Sequence, residues 1–468
     1  MPEKPAAVAA AQAWLEQHEQ QLIDDLRALL QIESLETDAE PNAPFGPGNR
    51  EALDFVLSKA EEWGMATKDV EGYAGHAEFG EGDKLVMTLG HLDVVPVSDG
   101  WKHAPFGAEI DGDYLYARGA VDDKGPTMAA FYALRALKET GADLPCRMRA
   151  VFGCNEESGF KCVERYFQTE EAPTYGIAPD SGWPLYNAEK GIANLVVNAP
   201  FPKGDLAIIS MNGGSRPNIV IDKFELTLEF APALEAEIKE RTADYWDKNV
   251  AVSFSGNRIG VTATGKAAHG STPFMGDSAF TRAMRYALAI APPMQAEEFE
   301  AWLALGHPSG VGLAIDGRDD PSEDLTANIG VVRAEGDAAK VTVNIRYPVT
   351  WKGADVDARA KAKLEEDGYG WTVAEFDDSE PLFFPADREP VLTILEAYRE
   401  ETGDMKPPRS MGGGTYARAV PNTVSVGTGW EGDGPAHEND ERIHISHPLK
   451  MAKIYAHILF RLAQLTAK

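Results

Sequence analysis

The sequence is poor in cysteine, and this shortage excludes one class of protein. Of 468 residues only three are cysteines, Cys146, Cys154 and Cys162, spaced eight residues apart. This odd and small number predicts no disulfide framework, and the spacing is not that of a zinc motif. We therefore expect free thiols and a cytoplasmic location.

Long apolar runs are also missing. The alanine-rich stretch at residues 6–11 is short, is composed of small residues and lies between charged ones. It has neither the length of a membrane span nor the composition of a signal-peptide core. We expect no membrane segment and no export.

Basic residues are scarce relative to acidic ones. The 44 Lys and Arg against 74 Asp and Glu give a formal net charge of −30. Nucleic-acid binding needs a basic surface, and anionic membranes also select for one. We therefore expect neither nucleic acid nor an anionic membrane as a partner. The acidic residues are spread along the chain, so their expected role is solubility or salt tolerance.

The hydrophobic content of 44% is ample for a buried core, and the length suits two or three domains. Residues 1–188 alternate helical and strand-like patterns. Residues 189–385 carry longer alternating strands with helices between them, and residues 386–468 return to the first pattern. The predicted fold class is α/β, with a mixed sheet flanked by helices and interrupted by an inserted α+β domain.

The first candidate site motif follows an apolar strand-like run at residues 85–89. There His91 would emerge at a strand end, and Asp93 could accept its second ring N–H. About thirty residues later Asp122 precedes a predicted helix beginning near Pro126. Each has a plainer reading: a surface His-Asp pair, and an acidic cap of a helix. The alternative is a metal ligand pair in which Asp122 bridges two cations.

Three further motifs follow apolar runs in the same way. Glu156 and Glu157 come after a predicted strand at 147–152, where one carboxylate could bind metal while the other takes a proton from water. Asp180 and His437 also follow apolar runs, His437 through a glycine-rich loop. Since open α/β sheets place ligands beyond the carboxyl ends of their strands, all five motifs could meet at one sheet edge.

These motifs resemble the M20 family of metallopeptidases, and within it the PepV-like dipeptidases. The resemblance covers nearly the whole chain. Besides the ligand motifs it rests on five further segments: EKG at 189–191, MNGGSRPN at 211–218, GKAAH at 265–269, NIRYP at 344–348 and GGGTYA at 412–417.

The resemblance implies a zinc-peptidase-like catalytic domain made of residues 1–188 and 386–468, with residues 189–385 as a lid domain. It implies that His91 and Asp180 hold one metal, that Glu157 and His437 hold the other, and that Asp122 bridges them. The remaining implied roles belong to Asp93, which orients His91, and to Glu156, the general base. The Asp122–Asp123 peptide bond is expected to be cis.

The resemblance further implies that His269, from the lid, reaches the reacting carbonyl, with Asn218 and Arg346 holding the substrate. Gly413 and Thr415 could add backbone N–H groups and a hydroxyl. The plainer readings are a loop histidine with local partners, a solvent-facing arginine on a strand and a flexible glycine turn. A guanidinium nevertheless matches a carboxylate in two-pronged fashion, which would set the substrate length.

The chemistry can be argued from the ligand set alone. Three carboxylates offset most of the charge of two divalent cations, and such a pair supplies a nucleophile, a polarised carbonyl and a stabilised oxyanion. Two Zn²⁺ fit best, and Mn²⁺ or Co²⁺ would also bind these oxygen and nitrogen ligands.

The leading hypothesis is a dizinc dipeptidase that cleaves unblocked dipeptides. The alternatives are an N-acyl-amino-acid deacylase or carboxypeptidase of the same family, and a non-catalytic metal-dependent peptide-binding protein. The partner is thus a small peptide. A lid of about 195 residues resembles that of monomeric members, so we expect a monomer.

Overall fold

The structure, a computed structural model, describes residues 4–467. The outermost ends of the predicted segments 1–188 and 386–468 therefore lie outside the described residues. Contacts divide the described chain into two compact units. Unit 1 comprises residues 4–187, 384–409 and 414–467, and unit 2 comprises residues 188–383 and 410–413.

The chain begins in unit 1, and passes into unit 2 within β8. The elements up to that point are α1 (Ala6–Gln17), α2 (Glu19–Leu30), α3 (Pro47–Glu62), β1 (Ala66–Val70), β2 (Ala74–Phe79), β3 (Leu85–His91), β4 (Glu109–Asp111), β5 (Tyr114–Tyr116), α4 (Lys124–Glu139), β6 (Arg147–Gly153), α5 (Lys161–Tyr166), β7 (Tyr175–Ser181) and β8 (Leu185–Glu189).

The inserted elements of unit 2 are β9 (Gly191–Pro200), β10 (Leu206–Gly213), β11 (Lys223–Phe230), α6 (Glu235–Asp244), β12 (Val250–Ser255), β13 (Arg258–Thr264), α7 (Ala279–Ile290), α8 (Ala296–Leu305), β14 (Arg318–Asp319), β15 (Glu323–Asp324), β16 (Thr326–Glu335), β17 (Ala338–Tyr347), α9 (Gly353–Asp367), β18 (Thr372–Ser379) and β19 (Leu382–Phe383). The chain then continues through α10 (Val391–Thr402), β20 (Arg409–Met411), β21 (Thr423–Gly427), β22 (Arg442–His444) and α11 (His447–Leu465).

The main sheet of unit 1 is mixed. Its order is β1-β2-β6-β3-β7-β21-β8, and the four central strands β6, β3, β7 and β21 are parallel. All seven residues of β3 are buried, because a central parallel strand is covered on both faces. Helices α3, α4 and α11 pack against strands of this sheet. The predicted α/β class is confirmed.

A second, small sheet of unit 1 joins distant segments of the chain. Its order is β22-β5-β4, and Arg442 pairs with Tyr116 in antiparallel register. The pairing brings the segment that follows His437 beside the segment that leads to Asp122. Residues more than three hundred positions apart are thereby held in register.

Unit 2 contains an eight-stranded antiparallel sheet of order β12-β13-β11-β10-β16-β17-β9-β18. Its strands alternate in burial: in β9 every second residue is buried, as expected where only one sheet face meets a core. That core is a hydrophobic cluster of its own, and includes Phe224, Phe280, Trp302 and Val343. The inserted segment therefore has the predicted α+β character.

Within residues 4–467 no helix combines the length and the apolar character needed to cross a membrane. The three cysteines are free thiols, and all three are buried.

Candidate active site

The strand order of unit 1 brings four candidate residues to one edge of its sheet. His91 is the last residue of β3, and Asp180 lies at the end of the neighbouring β7. Glu156 and Glu157 follow β6, which flanks β3 on its other side. Because the three strands are parallel, their carboxyl ends meet at the same edge.

Asp122 lies between two histidines. Its Oδ1 is 3.1 Å from Nε2 of His91, and its Oδ2 is 2.9 Å from Nε2 of His437. The same nitrogen of His437 lies 3.1 Å from Oε1 of Glu157. The peptide bond from Asp122 to Asp123 is cis, which confirms that expectation. Each oxygen of one carboxylate thus faces a different imidazole.

Two overlapping groups of potential ligand atoms result. The first contains His91, Asp122 and Glu157, and the second contains His91, Glu156 and Asp180; within each group the atoms lie within 4.8 Å of one another. His91 belongs to both groups and is fully buried. The structure therefore brings Glu156 and the five predicted ligands together in unit 1.

Two carboxylates of this site, Asp180 and Glu156, lie in surroundings that disfavour their charged form, whereas at Asp122 burial is outweighed by hydrogen bonds from His437 and His91, which lower its pKa. Burial raises the pKa of Asp180 well above its usual value, and the neighbouring Asp122 and Glu156 raise it further. Burial likewise raises the pKa of Glu156, with an added contribution from Glu157.

The two imidazoles show the opposite preference. Hydrogen bonds to Asp122 and Glu157 raise the pKa of His437 to about 10. Burial lowers the pKa of His91, but hydrogen bonds to Asp122 and Asp93 outweigh burial and hold it well above its usual value. Crowded carboxylates and imidazoles that attract protons mark a site suited to cations. The set of oxygen and nitrogen donors fits Zn²⁺, Mn²⁺ or Co²⁺.

Asp93 contacts its neighbours differently from the expectation. Nδ1 of His91 lies 2.9 Å from the main-chain oxygen of Asp93 but 3.5 Å from its Oδ1. The carboxylate instead accepts the backbone N–H groups of Glu156 and Glu157, at 3.1 Å each. The carbonyl orients the ring because the turn after β3 points the side chain toward the loop after β6.

Two acidic residues that the sequence analysis did not single out support the same site. Asp123 is fully buried, and its Oδ2 accepts the backbone N–H of His91 at 3.2 Å and the hydroxyl of Thr127 at 2.8 Å. Oε1 of Glu441 accepts the backbone N–H of Asp122 at 3.2 Å. Both lie within motifs rich in acidic residues, which was the one available signal.

Unit 2 brings Asn218 and His269 close together. Gly270 donates its backbone N–H to the main-chain oxygen of Asn218 at 2.7 Å, and Ile219 forms an isolated β-bridge with His269. Nδ1 of His269 accepts the backbone N–H of Ser271 at 3.2 Å and lies 2.7 Å from its hydroxyl. An amide can only donate, so the ring proton resides on Nε2.

Arg346 is held within unit 2 by polar contacts and is only 5% exposed, which contradicts the plainer reading of a solvent-facing arginine. Its Nε donates to Oδ1 of Asn344 at 3.0 Å, and its Nη1 donates to the main-chain oxygen of Gly412 at 2.7 Å. Gly412 precedes Gly413, so the arginine and the glycine-rich segment are neighbours.

Thr415 belongs to unit 1 and is 2% exposed. Its hydroxyl oxygen accepts the backbone N–H of Ala417 at 3.2 Å and caps a short 3₁₀ helix, Tyr416–Ala419. The hydroxyl therefore has a local structural use in addition to any contact with a substrate.

Comparison with known proteins identifies the class to which this fold and this site belong. The profile of Peptidase family M20/M25/M40 matches residues 87–461. The chain is a member of this peptidase family, whose members are metal-dependent hydrolases.

Individual relatives agree with this membership. The protein named "Putative dipeptidase YtjP" of Bacillus subtilis (strain 168) is 37% identical over 461 residues, covering 95% of this chain and 97% of the relative. The fold matches the di-peptidase Dug1p of Saccharomyces cerevisiae with a TM-score of 0.55 at 15% identity, covering 98% of both chains. It also matches the YXEP protein of Bacillus subtilis, described as a dinuclear metal-binding peptidase, with a TM-score of 0.51 at 13% identity, covering 96% and 99% of the two chains.

Proposed function

We propose that this protein is a metallopeptidase that hydrolyses unblocked dipeptides at a site holding two Zn²⁺, with Mn²⁺ or Co²⁺ as alternatives. The observation that carries the proposal is Asp122, whose two oxygens each face a different histidine. A carboxylate in this arrangement suits a bridge between two cations, with His91 and Asp180 on one side and Glu157 and His437 on the other. The dinuclear relative supports the same reading.

The residues of unit 1 have distinct roles in the proposed hydrolysis. Bound cations would polarise the scissile carbonyl and increase the acidity of water. Glu156 takes the proton of the attacking water and passes it to the leaving amine, a role typical of a carboxylate beside a hydrolytic metal site. Asp93 holds the backbone of Glu156 and Glu157, and its carbonyl orients the ring of His91.

His269 contributes a hydrogen-bond donor in this proposal. Its Nδ1 already accepts from Ser271, so Nε2–H is the group that can donate to the oxygen of a tetrahedral intermediate. Removing such a donor typically lowers turnover by about 10²-fold or more. The same local bonding of histidine to a serine two residues on occurs at His307, so the bonding alone does not define the catalytic residue.

Arg346 anchors the free carboxylate of the dipeptide. Its guanidinium is buried and held by Asn344 and Gly412, so little side-chain entropy is lost when it binds an anion. Asn218, Gly413 and Thr415 complete the proposed substrate-binding set. A fixed anchor one residue from the scissile bond limits the substrate to two residues.

Metal analysis combined with a peptide panel tests this function. The purified protein is analysed for bound metal and assayed with unblocked dipeptides, their N-acetyl forms and longer peptides. We expect two cations per chain and faster cleavage of the unblocked dipeptides. Preference for the N-acetyl forms would favour a deacylase, preference for longer peptides a carboxypeptidase, and stoichiometric metal without turnover a binding protein.

The domain roles and the state in solution belong to the same proposal. We propose residues 1–188 and 386–468 as the catalytic domain, residues 189–385 as a lid, a monomeric protein and a cytoplasmic location. The three buried free thiols agree with a reducing compartment. Sedimentation equilibrium at the mass of one chain is expected, and twice that mass would overturn the monomer.

A further inference from the structure

Glu441 lies four residues after His437, and its carboxylate is completely buried. One of its oxygens, Oε1, accepts three backbone N–H groups from a single loop: those of Gly119 at 3.1 Å, Val121 at 2.9 Å and Asp122 at 3.2 Å. Three donors that converge on one oxygen restrict the backbone of the whole loop.

The second oxygen of Glu441 has a charged partner. Nη1 of Arg118, a side chain that is 1% exposed, donates to Oε2 at 2.6 Å. The guanidinium also packs over the ring of Trp101 at 5.2 Å. The main-chain oxygen of Glu441 accepts the N–H of Ala117 at 3.0 Å. Glu441 therefore accepts four backbone N–H groups from residues 117–122, three through its carboxylate and one through its main-chain oxygen. Its carboxylate also accepts a hydrogen bond from the guanidinium of Arg118.

These contacts join the two segments that carry the proposed bridging carboxylate and one of the histidines facing it. We propose that Glu441 is a positioning residue: it holds the loop of Asp122 in register with the segment of His437, so that the two side chains meet at cation-binding distance. The inference rests on the proposed function. Groups that orient metal ligands from outside the coordination shell typically alter affinity by about 10- to 100-fold.

The experiment compares Glu441→Gln with a matched control, Glu401→Gln. Glu401 is a partly buried carboxylate of unit 1, and it accepts hydrogen bonds from Nδ1 of His457 at 2.7 Å and Nζ of Lys4 at 2.9 Å. Neither partner belongs to a ligand-bearing segment. Each metal-free protein is titrated with Co²⁺, and the visible absorption band reports both affinity and ligand geometry. Thermal unfolding is measured in parallel.

We expect Glu441→Gln to weaken Co²⁺ binding by at least about 10-fold and to change the absorption band. Glu401→Gln should lose thermal stability but keep the wild-type affinity and spectrum. Wild-type Co²⁺ binding by folded Glu441→Gln, or an equal loss in both variants, overturns the inference. If Glu441→Gln does not fold, Glu441→Asp takes its place, because it keeps the charge but shortens the reach. An unchanged Co²⁺ affinity of Glu441→Asp also overturns the inference. Absence of Co²⁺ binding by the wild type contradicts the proposed function itself.

Discussion

The proposed metal ligands in unit 1 and the proposed site residues Asn218 and His269 in unit 2 are held in different ways. In unit 1 the buried carboxylates of Asp93, Asp123 and Glu441 accept backbone N–H groups of ligand-bearing segments. In unit 2 Asn218 and His269 sit on loops joined by backbone contacts. A cation site needs fixed distances between like charges, and the buried carboxylates of unit 1 tie its segments together. A loop that carries a neutral amide such as Asn218 does not have to resist such repulsion.

This comparison predicts that changes in unit 1 have the larger effect on chemistry. Chelation of the metals should lower turnover by more than about 10⁴-fold, since most of an enzymic acceleration of at least about 10⁶-fold depends on them. Added Zn²⁺, Mn²⁺ or Co²⁺ should restore the wild type but not Asp122→Asn. The measurement is dipeptide hydrolysis before and after reconstitution. If the chelated protein keeps full activity and metal analysis shows that it is free of metal, the reaction does not depend on metal.

Replacing the proposed base should come next in size. Glu156→Gln is expected to lower kcat by about 10³-fold, because general base catalysis contributes roughly 10²- to 10⁴-fold. Its bound metal should stay at the wild-type level, which distinguishes loss of the base from loss of a ligand. Steady-state kinetics and metal content are measured on the same preparation. Turnover equal to that of the wild type would remove Glu156 from the mechanism.

A smaller effect is expected in unit 2. His269→Ala should lower kcat by about 10²-fold, because one hydrogen-bond donor to the oxyanion is lost. His307→Ala serves as the control, since His307 has the same local bonds to a serine in the same unit. Metal content should be unchanged in both variants. If His269→Ala and His307→Ala have equal kinetics, His269 serves only in its local hydrogen bonds to Ser271.

A modest change in the stability of unit 1 is expected on acidification, because unit 1 contains a buried histidine that is not one of the proposed metal ligands. Burial lowers the pKa of His76 to about 4, and its Nδ1 lies 2.7 Å from the hydroxyl of Tyr166. An unfolded histidine titrates near 6.5. Between these values the unfolded chain binds more protons. The contribution of His76 is therefore complete above pH 6.5 and is lost as the pH falls toward 4.

At pH 5 this loss should reach about 2 kcal/mol relative to pH 7. Denaturation of the wild type and of His76→Gln at both pH values measures it, and the variant should lose less stability on acidification. His307→Gln in unit 2 is the matched control. If His76→Gln and the wild type lose equal stability between pH 7 and pH 5, protonation of the His76 imidazole does not cause the loss.

Much of the fold was predictable because the spacing of apolar residues follows the period of the helix or strand that they form. The strand predicted at 147–152 is β6 (Arg147–Gly153), and the strand-like run at 85–89 lies within β3 (Leu85–His91). Other bounds shifted for local reasons. α4 begins at Lys124, before Pro126, because N–H groups of the first turn need no partner within the helix.

The contacts around the site were harder to predict. Asp93 was expected to orient His91 through its carboxylate, but the carbonyl lies closer and the carboxylate contacts the loop after β6. The contacts of Glu441 span about 320 positions of the sequence. Spacing along the chain carries no information about which of two oxygens meets a donor on a distant segment.

The order of amino acids alone specified most elements, the chemical types of the proposed ligands and the sheet edge at which they emerge, because these follow from local pattern and from one rule of chain direction. Which atoms face each other depends on how distant segments pack. Hydrogen bonds and cation sites depend on distances of a fraction of an ångström between segments brought together by packing, and no local pattern encodes them.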